Sequence, residues 1–173
     1  MIHIVLFRPE KPSNTGNIMR TAVALKAVLH IIGPISFSLA DKDLKRAGMD
    51  YISDLKLYIY SSLDEFYEKN KNADLYYVTR YSSNVYSSFD FKKIDHDYYV
   101  MFGRESTGIP HDILRNNYSK TMRIPMVSDA RSLNLSNSVA IIAYEIMRQQ
   151  SFYSLSTQEM LKGDNFLYEE IKK

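Results

Sequence analysis

The chain contains no cysteine. That excludes disulfides, thiolate zinc sites, iron–sulfur clusters and cysteine nucleophiles, and it fits a reducing compartment. It has only six glycines, Gly16, Gly33, Gly48, Gly103, Gly108 and Gly163. No two of them form G-x-G, so the Rossmann fingerprint and the usual glycine-rich methyltransferase loop are missing. Gly103 and Gly108 have Walker A spacing, but Ile109 and Pro110 follow where Lys and Ser or Thr are needed, so there is no triphosphate cradle. A G-x-S-x-G nucleophile elbow is also absent. The four histidines, His3, His30, His96 and His111, lack ligand spacing, and no metal is expected. No apolar run approaches the roughly 18 residues that cross a bilayer, and the short run at Ile2 to Phe7 has no basic leader. The expectation is a cytoplasmic protein that makes no membrane contact. Charge of either sign is not in large excess: the net charge is +2. Any nucleic-acid partner must therefore meet a local basic patch.

What is present is a single-domain quantity of sequence, 173 residues with 45% hydrophobic content. Ile2 to Phe7 reads as a buried strand. Asn14 is a good N-cap for a following helix, in which Ile18, Ala22 and Leu25 recur at helical spacing. Strands are expected at Leu29 to Ile32, Leu55 to Tyr60, Leu75 to Thr79, Tyr98 to Phe102 and Thr121 to Ile124. On the strand at Leu55 to Tyr60, Leu55, Leu57 and Ile59 should share a face. Helices are expected at Asp41 to Ala47, at Leu63 to Asn70 with Ser62 or Asp64 near the cap, from Pro110, and at Leu135 to Gln149. Residues 80–97 read as a long polar loop with room for a short strand. Residues 151–173 read as a tail with one weakly amphipathic segment, outside a domain of residues 1–150. Alternation of strand and helix predicts an α/β protein with a mostly parallel sheet flanked by helices.

In such a protein, ligands bind at the edge where strands give way to helices. Three polar segments fall at such edges: Asn14-Thr15-Gly16-Asn17-Ile18-Met19-Arg20, Phe102 to Pro110, and Ile124-Pro125-Met126 with Ser132 to Ser138. Read singly, the first is equally an N-cap, a turn glycine and a surface arginine. The second is equally a strand-to-helix turn, with Glu105 as an N-terminal helix charge. In its functional reading, Glu105 orients a donor group or holds Arg20. The third carries five uncharged polar residues, Ser132, Asn134, Ser136, Asn137 and Ser138, where capping needs one.

These patterns, N-x-G-x-x-x-R, F-G-x-E-x-x-G-I-P and I-P-M…S-x-N-L-S-N-S, resemble the three motifs of the SpoU branch of the SPOUT methyltransferases, over residues 1 to about 150. The stretch Asp41 to Tyr51 resembles the small tRNA (cytidine/uridine-34)-2'-O-methyltransferases of the TrmL/YibK type. The resemblance implies a SPOUT fold with a C-terminal trefoil knot, and a homodimer whose site draws on both chains. It further implies S-adenosylmethionine in a pocket lined by Val78, Gly103, Ile124, Ser132 and Leu133. Arg20 is implied as the catalytic arginine, with Asn14, Glu105 and Asn134 orienting the reacting groups. The substrate implied is the tRNA anticodon stem-loop, for which Lys42, Lys45 and Arg46 are the nominated contacts. The lack of cysteine suits oxygen methylation, which needs no covalent attack on a base. Two alternatives are a related enzyme acting on ribosomal RNA or another tRNA position, and a non-catalytic RNA-binding protein of the same fold. Those relatives often carry an added N-terminal RNA-binding domain, and a chain starting at its first strand favours the minimal wobble-nucleotide enzyme. Arg104 and Thr107 occupy variable positions in the second motif.

Overall fold

A computed structural model describes residues 1–38, 54–163 and 166–168. The expected helix at Asp41 to Ala47 and the nominated RNA contacts Lys42, Lys45 and Arg46 lie outside the described residues.

Among the described residues, six strands form one sheet: β1 (Ile2–Phe7), β2 (Val28–Ile32), β3 (Lys56–Tyr60), β4 (Asp74–Val78), β5 (Tyr98–Phe102) and β6 (Thr121–Met122). Their order is β3-β2-β1-β5-β4-β6 and every pairing is parallel. Parallel pairing needs a crossover for each connection and buries both faces. Accordingly β1 alternates its apolar residues between two cores. Ile2, Ile4 and Leu6 face a cluster with Leu29, Ile31, Val100, Phe102 and Met122. Val5 and Phe7 face the opposite cluster, with Ile32, Leu75, Tyr77 and Met101.

Among the described residues, four helices cover the sheet: α1 (Pro12–Ala24), α2 (Leu63–Lys69), α3 (His111–Asn116) and α4 (Leu135–Gln149). On the first face, α1 contributes Ile18, Met19 and Ala22, and α4 contributes Val139, Ile142, Ala143 and Ile146. On the other, Phe66 of α2 and Leu114 of α3 close the core. Ser62 caps α2 by accepting the Glu65 amide, one of the two caps expected there.

Several expectations are corrected. α1 starts at Pro12, with Lys11 at the N-cap and no side-chain cap bond, so Asn14 is a buried residue of the first turn and not the cap. Gly16 is likewise helical and not a turn glycine. β6 stops at Met122. Beyond it Arg123 leaves β4 and pairs with the 80–97 segment: its amide donates to Asn84 O at 2.8 Å, and its carbonyl accepts from Tyr86 N at 3.0 Å. β3 is a sheet edge, so Ile59 is 54% exposed and does not share a buried face with Leu55 and Leu57. In the tail, Leu155 still packs against the first core, and the described remainder holds only a short turn at Phe166–Tyr168. No helix among the described residues is long and apolar enough to cross a membrane.

Candidate active site

The sheet reverses direction of growth between β1 and its neighbour β5, and ligands of open α/β sheets settle outside the carboxyl ends at such a point. A cavity of about 550 Å³ opens there. Its walls come from the segments that leave β1, β4, β5 and β6 and from the start of α4. The three polar segments, separated in sequence by up to 120 residues, meet in this cavity.

Glu105 is the hub of the meeting. Its carboxylate accepts the Glu10 amide at 2.8 Å, the Lys11 amide at 3.1 Å and Asn14 Nδ2 at 3.0 Å. It therefore places negative charge at the start of α1, where exposed amides and the helix dipole favour it. Asn14 Oδ1 in turn accepts Asn134 Nδ2 at 2.9 Å. Asn134 is the N-cap of α4, its Oδ1 accepting from the Ser136 and Asn137 amides at 2.9 and 3.3 Å. One relay thus joins the loop after β5 to the starts of both helices on the first face.

The second motif folds on itself. Arg104 and Gly108 exchange both backbone hydrogen bonds, at 3.2 and 2.9 Å, which brings Gly103 against the far side of the loop. A Cβ at Gly103 would lie 2.1 Å from Gly108 C and 2.3 Å from Ile109 N, so glycine is obligatory there. Gly108 sits at φ 73°, the left-handed region that glycine adopts without strain.

Sequence reasoning missed a second carboxylate, Glu10 in the segment between β1 and α1, that braces this loop. Glu10 accepts Arg104 Nη2 at 2.6 Å, Ser106 Oγ at 2.8 Å and the Ser106 amide at 2.9 Å. The hydrogen bonds from Arg104 and Ser106 hold the Glu10 carboxyl below the usual carboxylate range. Arg104 is thereby a strut of the cavity wall. Also missed were Thr79, Arg80 and Tyr81 at the end of β4, and Arg131, all of which line the cavity. The rule that put the other segments at the carboxyl edge would have found the first three.

Of the sequence-predicted residues, Val78, Gly103, Ile124, Ser132 and Leu133 line this cavity, as do Asn14, Glu105 and Asn134. Arg20 does not. It is exposed on α1, makes no ion pair or hydrogen bond among the described residues, and is not held by Glu105, which accepts from Asn14 and two backbone amides. Part of the polar surplus at residues 132–138 goes into the cap: the Ser136 and Ser138 hydroxyls both donate to Asn134. No group of three or more His, Cys, Asp or Glu suited to a metal occurs among the described residues.

The parallel sheet and this cavity define a methyltransferase of the SpoU class, and the chain belongs to the SpoU rRNA Methylase family, which matches residues 1–144. More particularly, it is 48% identical over 155 residues to a Geobacillus stearothermophilus protein named "Putative tRNA (cytidine(34)-2'-O)-methyltransferase", covering 90% of this chain and 99% of that one. A solved structure described under "Structural insights into the 2-OH methylation of C/U34 on tRNA" superposes with a TM-score of 0.80 at 37% identity, over 88% of this chain and 97% of that one. The SpoU methyltransferase AviRb from Streptomyces viridochromogenes, solved with the cofactor AdoMet, has a TM-score of 0.73 at 25% identity, over 87% of this chain and 60% of that one.

Proposed function

We propose that the protein methylates the ribose 2'-hydroxyl of nucleotide 34 in tRNA, with S-adenosylmethionine as donor and the anticodon stem-loop as the bound part. The observation that carries this reading is the convergence of all three motif segments on one cavity at the carboxyl edge of the sheet. The names of close relatives supply the nucleotide.

The cavity fits the donor. Its volume lies in the range of small-molecule pockets. Gly103, whose Cβ position is taken by Gly108 and Ile109, lets the loop that lines the cavity fold back on itself. Val78, Ile109, Ile124 and Leu133 offer apolar surface for a base, while Ser132 and the loop amides offer polar partners. S-adenosylmethionine supplies a methyl group on a positively charged sulfur that departs as a neutral thioether. The protein must position the ribose oxygen in line with that methyl group and accommodate the charge as the hydroxyl loses its proton. A guanidinium is a poor base at neutral pH. We therefore assign Arg20 to stabilising the developing alkoxide, with water taking the proton. Glu105, Asn14 and Asn134 hold the wall against which the ribose is set.

Arg20 stands outside the cavity of its own chain, and the exposed face of α4 carries Ile141 and Tyr144, 36% and 47% exposed. A homodimer packed through α1 and α4 would bring one copy's Arg20 to the other copy's cavity. Incubating the protein with labelled donor and total tRNA, then mapping the label, tests the reaction. A 2'-O-methyl group at nucleotide 34 is the expected product. Label at another tRNA position, or only in ribosomal RNA, would overturn the assignment.

A further inference from the structure

Where β4 ends, Arg80 and Tyr81 line the cavity and also reach the protein surface. The Arg80 guanidinium is locked in place: Nη1 donates to Arg131 O at 2.9 Å and Nη2 to the Tyr81 hydroxyl at 3.2 Å. Its carbon lies 4.9 Å from the centre of the Tyr81 ring. Arg123 Nη1 donates to the Arg80 carbonyl at 2.8 Å, and the Tyr81 amide donates to Thr79 Oγ1 at 3.2 Å. The Tyr81 ring also meets His111 at a steep angle, 5.2 Å between centroids and 77° between planes. The ring is thus held by two neighbours, yet Tyr81 remains 56% exposed. A tether for the 126–134 segment needs only the arginine–carbonyl bonds. An aromatic ring that is rigid, exposed and at a cavity mouth contributes little to folding. Arg80, Arg123 and Arg131 form no ion pair with any described carboxylate, so the shelf is also locally cationic.

We propose that Arg80 and Tyr81 form a stacking shelf for an unpaired RNA base adjacent to the nucleotide that enters the cavity. This rests on the reaction proposed above and names residues that select its substrate. Single-stranded RNA is recognised by splaying bases onto aromatic rings and guanidinium planes, with cations tracking the phosphates. A loop nucleotide seated in the cavity must leave its stack. Its neighbour then loses a stacking partner, and the Tyr81 ring is placed to replace it. Fixing that neighbour would set the register of the loop, so the ribose presented to the donor is always the same one.

The test uses the full chain and an anticodon stem-loop RNA carrying the fluorescent base 2-aminopurine on either side of nucleotide 34 in turn. The wild type should quench one of the two probes. Tyr81→Phe, which keeps the ring, should quench equally. Tyr81→Ala should abolish quenching and raise the KM for RNA roughly tenfold, the scale of one lost base–aromatic stack. Calorimetric affinity for S-adenosylmethionine and the melting temperature should be retained in both variants. Wild-type quenching and KM in Tyr81→Ala would overturn the shelf. So would loss of donor affinity in that variant, which would place the ring in the donor pocket, or failure of Tyr81→Phe, which would make the hydroxyl and not the ring the working part. Quenching without methylation at nucleotide 34 would sink the proposed reaction and leave the shelf standing. A wild type that does not bind the stem-loop would remove both.

Discussion

Asn134 is one side chain with two separable duties. Its Oδ1 caps α4, and its Nδ2 holds Asn14, which is itself held by Glu105. Asn134→Ala should cost about 1 kcal/mol for the lost cap, read by urea denaturation. Asn134→Asp should recover the cap but not the donation to Asn14, so it should regain stability and not methylation rate. A wild-type rate in Asn134→Asp would remove the relay from the mechanism. The second residue-scale case is the histidine pair on the other sheet face. His3 Nδ1 meets His30 Nε2 at 2.9 Å, and His30 Nδ1 meets the Tyr60 hydroxyl at 2.9 Å. Only one hydrogen fits between the two facing ring nitrogens, so the two rings cannot both be charged. Burial, then the charge of His3, pushes His30 down to about 3, and burial lowers His3 against the opposing pull of Asp97. An unfolded histidine takes its proton near 6.5, so below that pH the unfolded chain binds more protons than the folded one. Stability should therefore be full above about pH 6.5 and fall with acid, by at most roughly 1.4 kcal/mol per pH unit for one such ring. Urea midpoints at about pH 7.5 and about pH 5.5 should differ in the wild type and much less in His30→Phe; equal slopes in the two proteins would assign the acid sensitivity elsewhere.

At the scale of elements, the loop after β5 is the part whose geometry admits least change. Gly103→Ala would set a methyl group 2.1 Å from backbone carbon, and backbone cannot step aside as a side chain does. The loop must open, breaking the paired bonds between Arg104 and Gly108. Overpacking of this kind costs about 1–3 kcal/mol, and here the strain falls on the cavity wall. Affinity for S-adenosylmethionine should fall at least roughly tenfold, measured by calorimetry, with the far-UV spectrum unchanged; unaltered affinity would detach this loop from the donor. The sequence made that loop visible because Gly103 directly follows an apolar run. β1, β5 and α4 were legible to the residue for the same reason: a nearly continuous apolar run or a clean helical period marks both ends. The start of α1 was not. Its N-terminal charge comes from Glu105, more than 90 residues away, so no local capping residue marks Pro12 as the first turn. β6 was overextended because Ile124 is as apolar as Met122. What ends the strand is Arg123 pairing with Asn84 and Tyr86, a partner choice that periodicity does not encode.

For the whole molecule, alternating strands and helices made a parallel sheet legible, but the order β3-β2-β1-β5-β4-β6 is set by contacts between distant strands. The same gap explains Arg20. Its motif is plain in the sequence, yet nothing there says that the folded chain leaves it outside its own cavity. If Arg20 completes the cavity of a second copy, defects at Arg20 and at Gly103 should cancel when placed in different chains. Arg20→Ala alone should lower the single-turnover rate by roughly 10²–10³, the scale for one preorganised electrostatic group, with donor affinity kept. Gly103→Ala alone should fail at donor binding. In a mixed dimer, purified by separate tags after co-expression, the sound cavity of the Arg20→Ala chain faces the sound Arg20 of the other. One site is then whole and activity should return. If Arg20 served its own chain, the mixed dimer would have one cavity without arginine and one without donor, and it would stay inactive. Light scattering on the wild type supplies the companion measurement, since a species of only 20.1 kDa at micromolar concentration would leave no second copy to complete the site.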